Sequence, residues 1–312
     1  MPGPRFEAFT DSHLDDAASL LEKRHRRQLD SRALVAEEPD FPAELEQALA
    51  EDGASGCALV EDGELRGYLV AAPQEFTNTG LTWMLAGFAG FALEGDAERT
   101  RDLYAHAADR WFEERHTRHG LYLPASETEQ IDAWFRLGFG ASAMTAARKI
   151  EPEFFESQVQ VRDGALEDVE EAARLDRAMA DSMRQAPSFS GREPESQESA
   201  VEDWRDTWDD DVFVHFVAEL HGRLVGHLLL YKGRDGLRIP TGSIDLAAAS
   251  TEPDARGAGV GRALTAHAFN WAHQHGYRVM TIDWRMTNLL ASRTWPRLGY
   301  RPTFFRLFRA IA

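Results

Sequence analysis

Cysteine is almost missing from this chain: Cys57 stands alone among 312 residues. That excludes an intramolecular disulfide and a thiolate metal cluster, and it fits a reducing compartment. Lysine occurs only at Lys23, Lys149 and Lys232, and 34 basic residues face 52 acidic ones for a formal net charge of −18. So acidic a chain repels polyphosphate backbones and anionic bilayers, so neither nucleic acid nor a membrane is expected as a partner. No apolar run approaches the roughly 20 residues of a spanning helix. The opening MPGPRFEAFTDSHLDD lacks a basic-then-apolar leader, and the expected location is the cytoplasm. The eleven histidines offer no metal-ligand pattern. His273 and His275 would diverge on a helix, and His116 and His119 lack a third ligand, so no metal is expected. Low-complexity sequence is absent, although Ser182–Asp211 is rich in Ser, Pro, Glu and Asp and reads as mobile around Gln185–Ser199.

What is present concentrates between Thr241 and Ala272. A run of small and apolar residues ends at Glu252-Pro253, and Arg256-Gly257-Ala258-Gly259-Val260-Gly261-Arg262 follows at the head of an amphipathic helix. Closely spaced glycines let successive backbone N–H groups converge, because no Cβ obstructs the turn or the approach of a ligand. The helix adds its unpaired N–H groups and the positive end of its dipole, and two arginines bracket the nest. The expected guest is a phosphate or pyrophosphate. The loop lacks the Gly-Lys-Ser/Thr ending of a triphosphatase loop and the GxGxxG spacing of a dinucleotide site. Leu264, His267, Ala268 and Trp271 give the helix a stripe that packs on a sheet, His275-Gly276 ends it, and Arg278–Ile282 reads as the next buried strand.

The Arg256–Gly261 string resembles the R-x-x-G-x-G signature of the GNAT acetyltransferase superfamily. A second block supports the resemblance: Ile282-Asp283-Trp284-Arg285, then Asn288, then Leu298-Gly299-Tyr300, in the register of a Leu-Glu-Val-Arg-like strand, an asparagine and a Leu-Gly-Phe helix end. Asn288 would cap the last helix and Gly299 would end it in a left-handed turn. The resemblance implies an α/β (α+β) fold with a mixed, splayed β-sheet flanked by helices. It further implies acetyl-CoA held by Arg256, Gly257, Ala258, Gly259, Val260, Gly261, Arg262 and Asn288, with its pantetheine arm along the backbone of Ala249, Ser250 and Thr251. Asp245, expected to share a strand face with Ala247, Ala249 and Thr251, is the first candidate base. Asp283, aligned with the Glu of the strand motif, is the second. The family pattern has a tyrosine seven residues after the asparagine, to reprotonate the departing thiolate. Trp295 stands there instead, leaving Ser292 one turn earlier as the candidate relay.

The first half of the chain repeats the second at an offset near 160 residues. Gly63-Glu64-Leu65-Arg66-Gly67 matches Gly222-Arg223-Leu224-Val225-Gly226, Leu103–Ala107 matches Leu264–Ala268, and Trp134–Phe139 matches Trp295–Tyr300. So long a period marks a duplicated domain and not a solenoid, whose repeat is about 20–50 residues. Two GNAT-type domains are expected, at 1–150 and 158–312, joined by a connector at 148–158. In the first, Gly95, Glu98 and Thr100 replace Arg256, Gly259 and Gly261, and Asp96 adds a carboxylate. That copy is expected to lack a coenzyme loop.

The implied activity is N-acetyl transfer from acetyl-CoA to a primary amine of a small-molecule acceptor by direct attack, with a monomer or homodimer equally compatible. Carboxylates interleaved with Trp204 and Trp208 suggest a cationic acceptor through cation–π contact. The same pattern better describes a solvated acidic helix with two tryptophans turned inward. The other reading of the whole is a non-catalytic acyl-CoA sensor.

Overall fold

The computed structural model describes residues 3–76, 81–190, 196–233 and 235–311. Residues 191–195 of the segment expected to be mobile lie outside the described residues. The chain divides into two compact units, Met1–Thr145 with Gly236–Pro240 and Pro302–Ala312, and Ala146–Asp235 with Thr241–Arg301.

The first unit contains β1 (Arg5–Ala8), α1 (Leu14–Asp30), α2 (Phe41–Ala50), β2 (Ser55–Glu61), β3 (Glu64–Phe76), β4 (Leu81–Ala86) and β5 (Phe91–Leu93). It continues through α3 (Arg99–Glu113), β6 (Arg118–Pro124), α4 (Thr128–Arg136) and the start of β7 (Gly140–Lys149). The second unit follows with β8 (Gln160–Asp163), α5 (Val169–Arg184), α6 (Gln197–Asp209), β9 (Phe213–Leu220), β10 (Arg223–Tyr231) and β11 (Ser243–Thr251). It ends with α7 (Val260–Gln274), β12 (Val279–Arg285) and α8 (Leu289–Thr294), and the chain closes with β13 (Arg301–Ala310). Each unit holds a mixed sheet flanked by helices. The β4–β6 and β11–β12 pairs are parallel, and the hairpins β2–β3 and β9–β10 are antiparallel.

The matching glycines have matching work. Both hairpins turn on two left-handed residues, Asp62-Gly63 and His221-Gly222, the geometry that agrees with strand twist. The second glycine of each motif lies inside a strand. A Cβ on Gly67 would come within 2.5 Å of Leu93 Cδ1, and one on Gly226 within 2.6 Å of Val260 Cγ1. Gly138 follows the end of α4 at φ +81°, and Gly299 lies at φ +90° in the turn that follows α8.

The sequence suggests that each copy ends in its own terminal strand. The structure instead gives β13 to the first unit, antiparallel to β6 with Leu307 opposite Leu121. The last four residues of β7, Ala146–Lys149, fall in the second unit. Phe304 and Leu307 are fully buried, which anchors β13 in the first unit.

The first unit has apolar cores on two faces. One gathers Leu103, Tyr104, Trp111 and Trp134, and the other gathers Leu20, Leu21, Leu45, Tyr68 and Phe304. Arg24, 1 % exposed, reaches into this interior and donates to the main-chain carbonyls of Phe88 and Phe91. These residues follow β4 where the chain leaves the β4–β6 ladder, so the guanidinium supplies donors that the interrupted strand has lost. In the second unit α7 covers the sheet face carrying Gly226 and Leu228. Helices α5 and α6 cover the opposite face, with Val169, Trp204, Leu229 and Ala248 in one cluster.

Arg24→Met would remove this donor from the buried Phe91 carbonyl and the half-buried Phe88 carbonyl, and urea unfolding is expected to show a loss of about 2–4 kcal/mol.

Candidate active site

Strands β11 and β12 run in register only from Ser243 opposite Val279 to Leu246 opposite Ile282. Beyond that point β11 continues to Thr251 and β12 to Arg285 as diverging edges. The cause is local. The register of β11 on β10 slips, Leu230 facing Leu246 but Leu229 facing Ala248, so Ala247 is an extra residue. A bulge bends its strand and raises its twist, and here it opens a split whose wall is the half-exposed backbone of Ala248–Thr251.

The bulge also changes which side chains share a face. Asp245 lies opposite Tyr231, Ala248 opposite Leu229 and Ser250 opposite His227. Since alternate residues of β10 face one way, Asp245 shares a face with Ala248 and Ser250. The expected grouping of Asp245 with Ala247, Ala249 and Thr251 is therefore corrected, because simple alternation ignores the inserted residue. That face is the one under α5 and α6.

At the far end of β11 the chain turns through Pro253–Ala255 into the glycine loop. Gly257 and Gly259 have φ of +85° and +87°, and Gly259 caps α7. Among the described residues, the N–H groups of Gly257, Gly259, Val260, Gly261 and Arg262 donate to no carbonyl, whereas Ala263 already donates to Gly259. A Cβ at Gly257 or Gly261 would meet nothing within 4 Å. The concavity is open, lined with main-chain donors and set at the positive end of a helix dipole.

Local charge is arranged to match. The acidic residues entering the loop are neutralised: Glu252 accepts from Arg174 at 2.9 Å and Asp254 from Arg223 at 2.7 Å. Hydrogen bonding to Arg223 holds the Asp254 carboxyl below its ordinary range. The first turn of α7 has no acidic residue, and Arg256 and Arg262 are exposed. The donor set fits a diphosphate.

Two carboxylates lie along the split. Asp245 is 2 % exposed and accepts a 2.6 Å hydrogen bond from Thr281 Oγ1, directly across the parallel register. Asp283 is two residues beyond Thr281 on the same face of β12, past the last paired residue, and is exposed. Asp245 thus lies beneath the opening and Asp283 at its mouth.

Helix α8 begins as its sequence suggests: Asn288 Oδ1 accepts from Ala291 N at 3.2 Å. Ser292 Oγ donates to the Met286 carbonyl at 3.0 Å, which commits its proton and leaves only lone pairs for a ligand. In this arrangement the Ser292 hydroxyl is turned towards the Met286 carbonyl. Trp295 packs edge-on against Tyr300, with centroids 5.8 Å apart. Tyr300 is fully buried, and burial raises its pKa so that it stays protonated.

On the α5–α6 face, the inward orientation of the tryptophans is the one realised. Trp208 stacks on His215 at 3.5 Å and Trp204 meets His227 edge-on at 4.8 Å. Their rings are therefore engaged inside the fold and not offered to a cation. Glu202, Asp203, Asp206, Asp209 and Asp210 remain on the exposed side. The two histidines are 3.2 Å apart, Nδ1 to Nε2, and His215 Nε2 lies 3.2 Å from the Thr207 carbonyl. Burial lowers His215 to about 4, and burial together with its neighbour lowers His227 to about 3, so the pair is neutral. Nothing in the sequence marks this pair, because residues 12 apart become neighbours only through hairpin register. The same applies to Thr281, whose tie to Asp245 depends on a parallel crossover.

The matching region of the first unit differs throughout. Thr100, at the position of Gly261, is buried and donates to Gln130. An open depression of about 480 Å³ there is lined by Asp96, Glu98, Glu129 and Asp132 with Arg136, a surface that repels phosphate. Among the described residues, no cluster of three or more His, Cys, Asp or Glu is arranged to hold a metal, and no helix is long and apolar enough to cross a membrane.

Protonation of the buried histidines has a measurable consequence. The unfolded chain takes up these protons near pH 6.5, and the folded pair only near 4 and 3. The unfolded state therefore binds more protons in this window. Stability is complete above about pH 6.5 and falls on acidification, by up to about 1.4 kcal/mol per pH unit for each histidine. Denaturant titrations at pH 7 and pH 5 should show the decline, and His215→Gln should make it shallower by removing one of the contributing histidines.

Comparison with known proteins agrees with the geometry. Residues 177–300 match the sequence model of the acetyltransferase (GNAT) family. No curated protein sequence matches the chain. Among solved structures, a GCN5-related N-acetyltransferase from Sphaerobacter thermophilus superposes with a TM-score of 0.60 at 14 % identity, over 98 % of this chain and 95 % of that one. A tandem GNAT protein from the clavulanic acid biosynthesis pathway gives 0.53 at 13 % identity, over 98 % of each chain. Residues 177–300 therefore carry a match to the GNAT acetyltransferase family, and the chain as a whole has the fold seen in a tandem GNAT protein.

Proposed function

We propose that the second unit is an acetyl-CoA-dependent N-acetyltransferase acting on a primary amine, with the first unit as scaffold. One observation carries this reading: five unpaired main-chain N–H groups at the head of α7 adjoin a sheet split along the bare edge of β11. A diphosphate satisfies the loop, and an extended amide-bearing arm satisfies the strand edge. Arg256 and Arg262 would add charge at the diphosphate, and the backbone of Ala249–Thr251 would align the arm like an added strand. When bound, acetyl-CoA supplies an activated acyl carbon.

The chain's own residues then orient the acceptor and remove its proton. Asp283, exposed at the mouth of the split, can take a proton directly from an attacking amine. Asp245 is enclosed and positioned by Thr281, one pleat deeper on the same face. The exposed carboxylates of α6 favour a cationic acceptor by charge alone. The acidic lining of the first unit's depression disfavours a polyphosphate there by charge, which supports its assignment as scaffold.

A second reading rests on α8, where Ser292 has committed its proton and Trp295 offers only an indole N–H. It makes this a binding protein that retains an acyl thioester without turning it over. Thiol release from acetyl-CoA across a panel of primary amines separates the two. Acceptor-dependent release supports the enzyme, and tight binding without release supports the sensor.

Gly261→Asp should preserve folding, since the site has room for a Cβ and an acidic residue suits a first helical turn. It should weaken coenzyme A binding about a hundredfold by calorimetry, as it places a carboxylate among the phosphate donors. Asp283→Asn should lower turnover by about a hundredfold with coenzyme A affinity unchanged. An effect below tenfold would remove Asp283 as the base.

A further inference from the structure

The segment between β7 and β8 does more than join two repeats. Within the second unit it crosses the outer side of α7 and is pinned there. Glu153 N donates to Asn270 Oδ1 at 2.9 Å, and Asn270 Nδ2 returns a bond to the Glu153 carbonyl at 2.7 Å. From Asn270 the segment runs back towards the head of the helix and sets Phe155 beside the glycine loop. A Cβ at Gly259 would lie 3.1 Å from Phe155 Cζ, and the Arg262 guanidinium sits over the Phe155 ring, 4.6 Å from its centroid. Phe155 is half-buried and Arg262 exposed.

An aromatic ring with a guanidinium laid over it, beside an anion nest, is a surface for a nucleobase. Both groups are flat, both stack on purines, and the cation also suits a ribose phosphate. The nest fixes the ligand's diphosphate, and one end of that group runs along β11. The other end must leave past the first turn of α7, where Phe155 and Arg262 lie. We propose that Phe155 and Arg262 form the shelf that binds the adenosine 3′-phosphate part of coenzyme A, so that the interdomain connector determines affinity for the nucleotide half. This rests on the acetyl-CoA reading above.

The test is calorimetry on the full-length protein with two probes, coenzyme A and phosphopantetheine, the latter lacking the nucleotide. Phe155→Ala should weaken coenzyme A about tenfold and leave phosphopantetheine unchanged. Phe155→Trp should retain coenzyme A affinity, and unchanged melting temperatures would show that the connector remains seated. Equal weakening of both probes, or no change in coenzyme A affinity, would overturn the shelf while leaving the coenzyme site intact. A wild-type protein that binds neither probe would overturn the acetyl-CoA reading, and the shelf with it.

Discussion

The candidate site depends on one inserted residue. Ala247 has no counterpart on β10, and its insertion turns β11 away from β12 after four paired residues. Without that bend the two parallel strands would satisfy each other's backbone along their length, and no edge would be left for an extended ligand. With it, the free edge leads directly to the glycine loop, so strand donors and helix-head donors form one continuous surface. The bend is affordable because α5, α6 and α7 clamp the sheet on both faces, through Leu229 and Ala248 on one side and Gly226 against Val260 and Leu264 on the other.

The two copies show the same scaffold with this device kept and lost. Their hairpin turns and left-handed helix ends agree residue for residue, since those positions carry backbone requirements that only glycine or a short turn residue meets. The ligand-facing positions have diverged. In the first unit, Arg24 fills the interior beside the interrupted strand, Thr100 is tied to Gln130, and four carboxylates line the depression.

The second unit's histidine pair shows how packing can resemble function. Trp204 and Trp208 alternate with acidic residues in the sequence, a pattern that suits recognition of a cation. In the fold the tryptophans cover His215 and His227, and the acids face solvent. Two neutral imidazoles that bond to each other, one stacked on an indole and the other met edge-on, cost little to bury.

The glycine loop, the cap at Asn288, the left-handed turn at Gly299 and the repeated glycine positions were legible in the sequence because each is a local demand on φ or on a nearby N–H. The face on which Asp245 lies was not, since one unpaired residue reverses strand alternation and leaves no mark in composition. Nor was the commitment of Ser292 to Met286, the Asp245–Thr281 bond, or the seat of Phe155 against Gly259. Two adjacent phenylalanines in a polar connector were the only hint of the last. The sequence by itself determined where backbone donors would gather, because glycine frees them wherever it stands. Only the tertiary structure decided which side chains face them, because that depends on register, bulges and crossovers between residues far apart in the chain.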